Sequence, residues 1–325
     1  MRSVFLMFLL AGCPAPGSTD ATDPTDTTDS TDDTDPGPTS PWTVHEGAPT
    51  LGAWPAVAVL GAEIHVVPSN STTHHVYDTL ADTWTTAAPL PQAAHYHTGA
   101  AAEGTFYVLG GGSPGAIDSV DRTYRYYPGS DRWEAGPPLP TPRGYVTSAV
   151  VGEEVFVIGG PNVAGEVFNR TIEALDVTAG TWRAGELLPR DTMWPLYSAI
   201  AAVDGKIYRI GGGIANRPFV LCAEYDVAAD SHRFLTPLPS ANHGPAGAAL
   251  GQQIYVMGGY AENRVLDSVW RYDIGSDSFE ELDALPYPVS YSKAVTVGEC
   301  IYVVGGHDNA NEDAARTLLH WCPGE

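Results

Sequence analysis

The chain has 325 residues, among them 35 glycines and 27 prolines, and its formal net charge is -23 at pH 7. This length allows one large domain or two ordinary ones, and the many glycines and prolines indicate short elements joined by turns, which favours an all-β fold. The acidity argues against nucleic acid or an anionic membrane surface as a partner, because both would repel the chain.

The first thirteen residues have the pattern of an export signal. Arg2 gives a positive start, Val4 to Leu10 form a short apolar run, and Leu10-Ala11-Gly12-Cys13 follows. This pattern resembles the lipobox of bacterial lipoprotein signal peptides, which implies that residues 1–12 are removed and that Cys13 is lipidated. An ordinary secretory signal, in which Cys13 is incidental, is the alternative.

Either signal predicts an exported protein, and a lipobox predicts a lipoprotein of the cell envelope. The residue after the cysteine is Pro14 and not the aspartate associated with inner-membrane retention, so the resemblance favours the outer membrane, on its periplasmic or surface face. Residues 13–40 are rich in threonine and aspartate, and this composition predicts a disordered linker. We expect the lipid on Cys13 to be the only attachment to the membrane.

A pattern with a period of about 50 residues dominates the rest of the chain. Short apolar runs end in glycine pairs, and the pairs are Gly110-Gly111, Gly159-Gly160, Gly211-Gly212, Gly258-Gly259 and Gly305-Gly306. An earlier copy, Ile64 to Ser69, has lost the glycines. Because each run is apolar on both faces, we predict a strand in a sheet that is covered on both sides.

An aromatic residue and a Pro-Leu-Pro sequence or a near relative follow most of these runs. In four copies an Asp or Tyr precedes the aromatic residue by six positions, and these aromatic residues are Trp84, Trp133, Trp182 and Phe279. Another copy departs from the pattern and has His232 there. The combination resembles the kelch repeat, whose copies each form one four-stranded blade of a β-propeller. The resemblance covers residues 41–325 and, with six copies, implies an all-β, six-bladed kelch propeller.

The last copy ends after its third strand, predicted at Thr317 to Cys322, and lacks its aromatic strand. Trp42 to His45, followed by Gly47-Ala48-Pro49, resembles Trp133 to Pro137. We therefore expect the N-terminal strand to complete the last blade and to close the ring.

Three cysteines fall within the predicted propeller. If Gly305 pairs with Thr317, then Cys300 and Cys322 lie opposite each other, which predicts a cross-strand disulfide in an oxidising compartment. Two unpaired buried thiols are the alternative, because this register is inferred. Cys222 is left over, and we expect a buried small apolar residue and not a nucleophile.

Several histidines are candidate metal ligands. His95 and His97 would lie on one face of a strand, but no third ligand lies close in sequence, so we assign both to the lining of the channel and expect no metal. His74-His75 and the polar stretch from His307 to Asp313 are predicted to lie in loops between second and third strands. We also expect no cofactor.

Candidate ligand-binding residues lie just before or at the start of each first strand, because first strands line the axis of a propeller. Aromatic rings there can stack on sugars or seat a peptide side chain, and arginine and histidine can donate hydrogen bonds. The candidates are Trp54, His95, His97, Arg143, Tyr145, Trp194, Tyr197, His243, Tyr291 and Lys293. The alternative is that these side chains merely fill the channel.

The resemblance to kelch propellers leaves more than one class of function open. Galactose oxidase is a kelch propeller with a copper site and a tyrosine–cysteine crosslink, but no matching set of residues is found. Bacterial sialic-acid mutarotases are similar in being exported six-bladed kelch propellers, which implies a carbohydrate epimerase as the alternative, although their catalytic residues cannot be mapped. We expect a monomeric binding module for a protein or glycan ligand of the cell envelope. A structural spacer would be favoured if side chains plugged the funnel.

Overall fold

The computed structural model describes residues 40–45, 47–112, 119–160, 171–185, 196–214, 217–308 and 316–323. The predicted signal peptide with Cys13, the linker up to residue 39, and Trp194 lie outside the described residues. The described part of the chain contains no helix with the length and apolar character that crossing a bilayer requires.

Six antiparallel four-stranded sheets make up the described part of the chain. The first contains β2 (Ala56–Leu60), β3 (Glu63–Val67), β4 (His74–Asp78) and β5 (Thr83–Ala87). The second contains β6 (Thr98–Ala102), β7 (Thr105–Leu109), β8 (Thr123–Tyr127) and β9 (Arg132–Ala135), and the third contains β10 (Thr147–Val151), β11 (Glu154–Ile158), β12 (Ile172–Asp176) and β13 (Thr181–Ala184). A 3-10 turn at Pro128–Ser130 joins β8 to β9.

Two of the remaining sheets carry an extra hairpin between their second and third strands. The fourth contains β14 (Ala199–Val203), β15 (Lys206–Ile210), β18 (Cys222–Asp226) and β19 (Ser231–Phe234), with a hairpin of β16 (Gly213–Ile214) and β17 (Arg217–Pro218). The fifth contains β20 (Ala246–Leu250), β21 (Gln253–Met257), β24 (Val269–Asp273) and β25 (Ser278–Leu282), with a hairpin of β22 (Tyr260–Ala261) and β23 (Arg264–Val265).

The sixth sheet joins the two ends of the described chain. Its order is β26 (Lys293–Val297), β27 (Cys300–Val304), β28 (Leu318–Trp321) and β1 (Thr43–Val44). Strand β1 pairs with β28, and the His45 N–H extends the pairing by donating to the Leu318 carbonyl at 2.9 Å. Beside it, Trp42 is 5% exposed, and its ring lies 5.6 Å from that of Trp321.

The first strands of the six sheets contact one another in a closed ring, in the order β2, β6, β10, β14, β20, β26 and back to β2. Each sheet is therefore one blade, and its first strand lines a central axis. The predicted all-β, six-bladed propeller is confirmed.

The core lies between neighbouring blades. Between the first two blades, for example, Ala56 and Val67 pack with Phe106, Tyr126 and Trp133. The repeated aromatic residues strengthen such contacts: the Trp133 indole N–H donates to the carbonyl of Ala88, in the loop between the two blades, at 2.8 Å. Burial of these faces follows directly from the apolar runs that mark each repeat.

A tyrosine–aspartate hydrogen bond recurs at the outer turns of several blades. The Tyr77 hydroxyl donates to Asp82 at 2.6 Å, Tyr126 to Asp131 at 2.9 Å and Tyr272 to Asp277 at 2.6 Å. Each bond closes the turn between a third and a fourth strand.

The last blade has the register that the sequence predicts, with Ile301 opposite Trp321 and the Gly305 N–H donating to the Thr317 carbonyl. Cys300 and Cys322 form a disulfide with their Cα atoms 4.2 Å apart. Cys222 is a buried free cysteine, and burial raises the pKa of its thiol to about 11, which disfavours the thiolate that a nucleophile needs.

One sequence prediction about loops is wrong. His74 and His75 belong to β4 and not to a loop, because the first copy lacks the glycine pair and its connection is shorter than predicted. His74 is buried, and its Nε2 lies 2.9 Å from Nδ1 of His65. Of the polar stretch from His307 to Asp313, only residues 307 and 308 are described, and His307 bridges to Ser290.

Candidate functional site at the mouth of the channel

The repeated glycine pairs anchor the loops that enter the next blade. The second glycine of a pair donates its N–H to a carbonyl in that loop, as Gly259 does to Val289 at 2.7 Å and Gly306 to Gly52 at 2.8 Å. A side chain would not fit beside this contact: a Cβ on Gly258 would lie 2.2 Å from the Val289 carbonyl oxygen, and its φ is +61°. The two acceptor residues, Val289 and Gly52, lie two positions before Tyr291 and Trp54, which belong to the candidate site.

The first copy keeps this contact without the glycines. The Asn70 N–H donates to the Ala94 carbonyl at 2.8 Å, two residues before Tyr96, and Asn70 adopts a φ of 63°. Asparagine tolerates this left-handed conformation better than most residues. The degenerate copy therefore positions its loop as the other copies do.

The candidate site consists of the residue two positions before each first strand. These six residues all have a positive φ, between 54° and 69°, and they are Trp54, Tyr96, Tyr145, Tyr197, Gly244 and Tyr291. For a bulky residue this conformation is uncommon and costs about 1–2 kcal/mol relative to glycine. Five of the six positions nevertheless hold an aromatic residue.

Backbone hydrogen bonds link these positions around the axis. The N–H of Gly244 donates to the Tyr197 carbonyl at 3.1 Å, that of Tyr291 to Gly244 at 2.8 Å, and that of Trp54 to Tyr291 at 2.9 Å. On the other side of the ring, the Tyr145 N–H donates to the Tyr96 carbonyl at 3.0 Å. These bonds connect four of the six neighbouring pairs and hold the backbone that carries the aromatic side chains.

The five aromatic rings meet at the axis and form what we call the aromatic plate, made of Trp54, Tyr96, Tyr145, Tyr197 and Tyr291. Centroid separations are 3.7 Å for the stacked Tyr96–Tyr145 pair, 4.9 Å for Trp54–Tyr96 and 4.7 Å for Trp54–Tyr291. Trp54 also lies 6.1 Å from Tyr197, which comes from the opposite blade. All five side chains are half-buried, so part of each ring stays accessible.

The plate fills the mouth of the channel. Within the described residues, the space among its rings and the residues directly beneath them is about 20 Å³, too small for a ligand. The sequence left open whether these side chains line a funnel or fill the channel, and in the structure they fill its mouth. A ligand at this end has to lie on the plate and cannot enter it.

The plate is uncharged but retains hydroxyl groups. Burial raises the pKa of the Tyr145, Tyr197 and Tyr291 hydroxyls above the ordinary value for tyrosine, so they stay protonated at neutral pH. Neighbouring tyrosines add to the shift at Tyr197. The plate is therefore neutral at this pH, and each of its residues keeps some accessible surface.

The predicted histidines have three different positions. His95 is half-buried, and its ring lies 3.5 Å from that of Tyr96 at the edge of the plate. His243 is buried, with its ring 5.0 Å from Tyr197, and burial lowers its pKa to about 4. It lies next to Gly244, in the blade that contributes no aromatic ring to the plate.

His97 is buried beneath the plate, where it lines the small space under the rings. Its Nδ1 is 3.1 Å from the Ala94 carbonyl and its Nε2 is 3.2 Å from the Val67 carbonyl. Burial lowers its pKa to about 4, so the ring is neutral. The described residues contain no cluster of three metal-ligating side chains.

The structure places Arg143 away from the mouth, which corrects the prediction. Its side chain is fully buried, and its Nη2 lies 2.7 Å from Oε1 of Glu173 on β12. The guanidinium also donates to the Thr171 carbonyl at 3.0 Å and to the Thr171 hydroxyl at 2.6 Å. Arg143 therefore ties a loop to the next blade and has no donor directed at a ligand on the plate.

Lys293 begins β26 and lies beneath the plate, where it lines the central cavity. Tyr145, Tyr197, Tyr291 and Trp54 are where the sequence placed them. Tyr96 was missed because the residues on either side of it were selected. Comparing the position two residues before each strand across the six copies would have identified it.

The plate lies on the face that carries the connections between second and third strands. Bridges pair His95 with Gly112, Leu196 with Gly213 and His243 with Tyr260, which brings the two kinds of loop together. The hairpins β16–β17 and β22–β23 belong to these connections. In each hairpin the second strand begins with an exposed arginine, Arg217 or Arg264.

Comparisons with known proteins agree with this architecture. A family model of the kelch motif matches residues 142–186, 241–286 and 288–321. No curated protein matches the sequence. Among solved structures 1080 chains match, one of them described as the structure of YjhT; it has a TM-score of 0.72 and 15% identity, covering 85% of this chain and 95% of that chain. Identity this low shows the fold alone, and the protein is a six-bladed β-propeller that contains kelch motifs.

Proposed function

We propose that the protein is an exported, lipid-anchored binding module whose protein or carbohydrate ligand is seated on the aromatic plate. The observation that carries this proposal is the backbone conformation of the plate. Five bulky residues adopt a positive φ at positions where glycine would be free of strain, as Gly244 shows. Strained positions of this kind cluster at functional sites in proteins.

The chemistry of the plate suits a flat ligand. Aromatic faces can stack on a sugar ring or on a flat peptide side chain, and the protonated tyrosine hydroxyls can add directional hydrogen bonds. The exposed Arg217 and Arg264 lie on hairpins at the same end of the propeller and could contact a ligand that extends beyond the plate.

Two other functions fit the plate less well. A carbohydrate epimerase of the mutarotase type needs a pocket that encloses its substrate, and only about 20 Å³ is free among these rings. A structural spacer accounts for a filled mouth, but it needs no half-exposed aromatic rings on strained backbone. The binding module is therefore the reading that the plate supports best.

The test is a glycan array and a pull-down from envelope extract, both with the full chain. The key variant is Tyr145→Gly, because glycine is the residue that the fifth blade has at this position and it accepts the positive φ. Tyr127→Ala is the matched control, since Tyr127 is also half-buried but ends β8, far from the mouth.

We expect the screens to find a ligand that binds the wild type and Tyr127→Ala with similar affinity. Its affinity for Tyr145→Gly should be at least tenfold lower. Equal affinity for all three proteins would place the site elsewhere. Turnover in a proton-exchange assay on a panel of small sugars would favour the epimerase, and the absence of any ligand in both screens would favour the spacer.

A further inference from the structure

A second candidate site lies inside the propeller, beneath the plate. A cavity of about 360 Å³ follows the axis and is lined by the first strands of all six blades. Its lining extends to the fourth residue of every first strand, from Val59 in the first blade to Thr296 in the last. The cavity therefore continues towards the face opposite the plate, and its volume falls within the range of small-molecule sites.

The walls of this cavity have mostly small side chains and expose polar backbone groups. Most of the lining side chains are alanine, glycine, serine, threonine or valine. Each first strand pairs with one neighbour only, so its other edge presents backbone N–H and C=O groups towards the axis. The hydroxyls of Thr98 and Ser148 lie 2.7 Å apart in the same wall.

Lys293 is the only charged residue among those that line the cavity. At the matching position, the first residue of the first strand, the other five blades have Ala56, Thr98, Thr147, Ala199 and Ala246. Of these five, Thr98 and Ala246 also line the cavity, whereas Ala56 and Ala199 pack between blades, and only the sixth blade has a long cationic side chain at this position. Lys293 lies both against the cavity and against the small space directly below the plate.

The chain has only two lysines, and they differ in their surroundings. Nζ of Lys206 lies 2.7 Å from Oε1 of Glu224 and 3.8 Å from Oδ2 of Asp226. Lys293 has no carboxylate within ion-pair distance among the described residues. Lys293 is partly buried and lines the channel.

The charge of Lys293 therefore has no counterion in the part of the chain that the structure describes. Burial lowers the pKa of Lys293 to about 8, so the amine is still largely protonated at pH 7. A buried charge is stable only when it is paired or hydrogen-bonded. An anion in the cavity would supply the missing partner, and backbone N–H groups on the unpaired edges of the first strands could bind its remaining oxygen atoms.

We propose that the central cavity binds a small oxyanion, a carboxylate or a phosphate, with the Lys293 ammonium as its counterion. This site is separate from the aromatic plate and does not depend on the function proposed for it. Because the protein as a whole is strongly acidic, selection of an anion depends on this single internal cation.

The two lysines make a direct test practical. The full chain, labelled with ¹³C-lysine, gives two Cε/Hε signals in a proton–carbon correlation spectrum, assigned with the variants Lys293→Met and Lys206→Met. Sodium acetate and sodium phosphate are titrated in separate series at constant ionic strength, which is maintained with sodium chloride.

We expect a saturable shift of the Lys293 signal with acetate, with phosphate or with both, while the Lys206 signal stays unchanged. The series that saturates identifies the class of anion. The same anion should raise the melting temperature of the wild type and of Lys206→Met, but not that of Lys293→Met. The variant Lys293→Arg keeps the positive charge, so the anion should raise its melting temperature as well. Parallel shifts of both lysines, or no saturation in either series, would overturn the proposal.

Discussion

The buried ion pair between Arg143 and Glu173 offers a sharp test of how the loop that enters the third blade is held to that blade. Arg143 comes from the loop before β10, and Glu173 lies on β12 of the blade that this strand begins. The arginine side chain is fully buried, and the carboxylate is nearly so. Burial lowers the pKa of Arg143, and Glu173 opposes that shift. Removing one partner therefore leaves the other charge buried alone.

Replacing Arg143 by alanine should reduce the free energy of unfolding by about 3–5 kcal/mol, because Glu173 loses its cation and Thr171 loses two hydrogen bonds. Removing both charges with Arg143→Met and Glu173→Leu should recover most of this loss, since well-packed apolar residues often replace a buried pair without cost. Arg183→Ala is the matched control. Arg183 pairs with Glu154 at 2.6 Å on the surface, and its loss should cost less than about 1 kcal/mol.

The measurement is urea unfolding followed by tryptophan fluorescence, with the slope checked for each variant. A cost for Arg143→Ala within about 1 kcal/mol of the surface control would refute the buried-pair account. The double variant should also keep the affinity of any ligand found on the plate, because Arg143 does not line the mouth. A loss of affinity without a loss of stability would show that Arg143 contributes to ligand binding.

Three further predictions address other parts of the molecule. Deleting Trp42 to His45 removes β1 and the buried Trp42 ring, so we expect a loss of at least about 3–5 kcal/mol in chemical unfolding; a melting temperature within a degree or two of wild type would count against ring closure by this strand. Gly244→Ala should destabilise the domain by about 1–3 kcal/mol, because the residue has a φ of +69° and a Cβ would lie 2.5 Å from the Tyr291 ring; unchanged unfolding would show that the mouth can rearrange. Cys13→Ser should move the protein from the detergent phase to the aqueous phase in detergent partitioning, and the lipoprotein prediction fails if the wild type is already in the aqueous phase.

The repeat made the fold accessible from the sequence. Glycine pairs, apolar runs and the following aromatic residues each report a local requirement: close backbone approach, a strand covered on both faces, and contact with the neighbouring blade. Because the repeats are similar in length, their number also gave the number of blades. The same register brought Cys300 and Cys322 opposite each other.

The candidate site was predicted only in part, because its details depend on contacts between blades. Counting back from each strand found Trp54, Tyr145, Tyr197 and Tyr291, but it selected His95 and His97 around Tyr96. The positive φ at Tyr96 turns its ring towards the axis, and the residues around Tyr96 do not by themselves predict this conformation. Arg143 was misplaced for a similar reason, since its partners Thr171 and Glu173 lie about 30 residues away, at the third strand of the blade that its loop enters.

The filling of the mouth could not be predicted from any single repeat. Whether five rings leave a funnel or close it depends on how far each reaches towards the axis. Likewise, the isolation of Lys293 depends on which residues of all six blades line the cavity, and no single repeat shows this.

The measurement that tests the central claim most directly is a crystal structure of the full chain with the ligand found by the array or the pull-down. We predict electron density for that ligand against the accessible faces of the aromatic plate, in contact with Trp54 and Tyr145. Density in a groove between blades or on their outer strands, with the plate unoccupied, would contradict the proposed function.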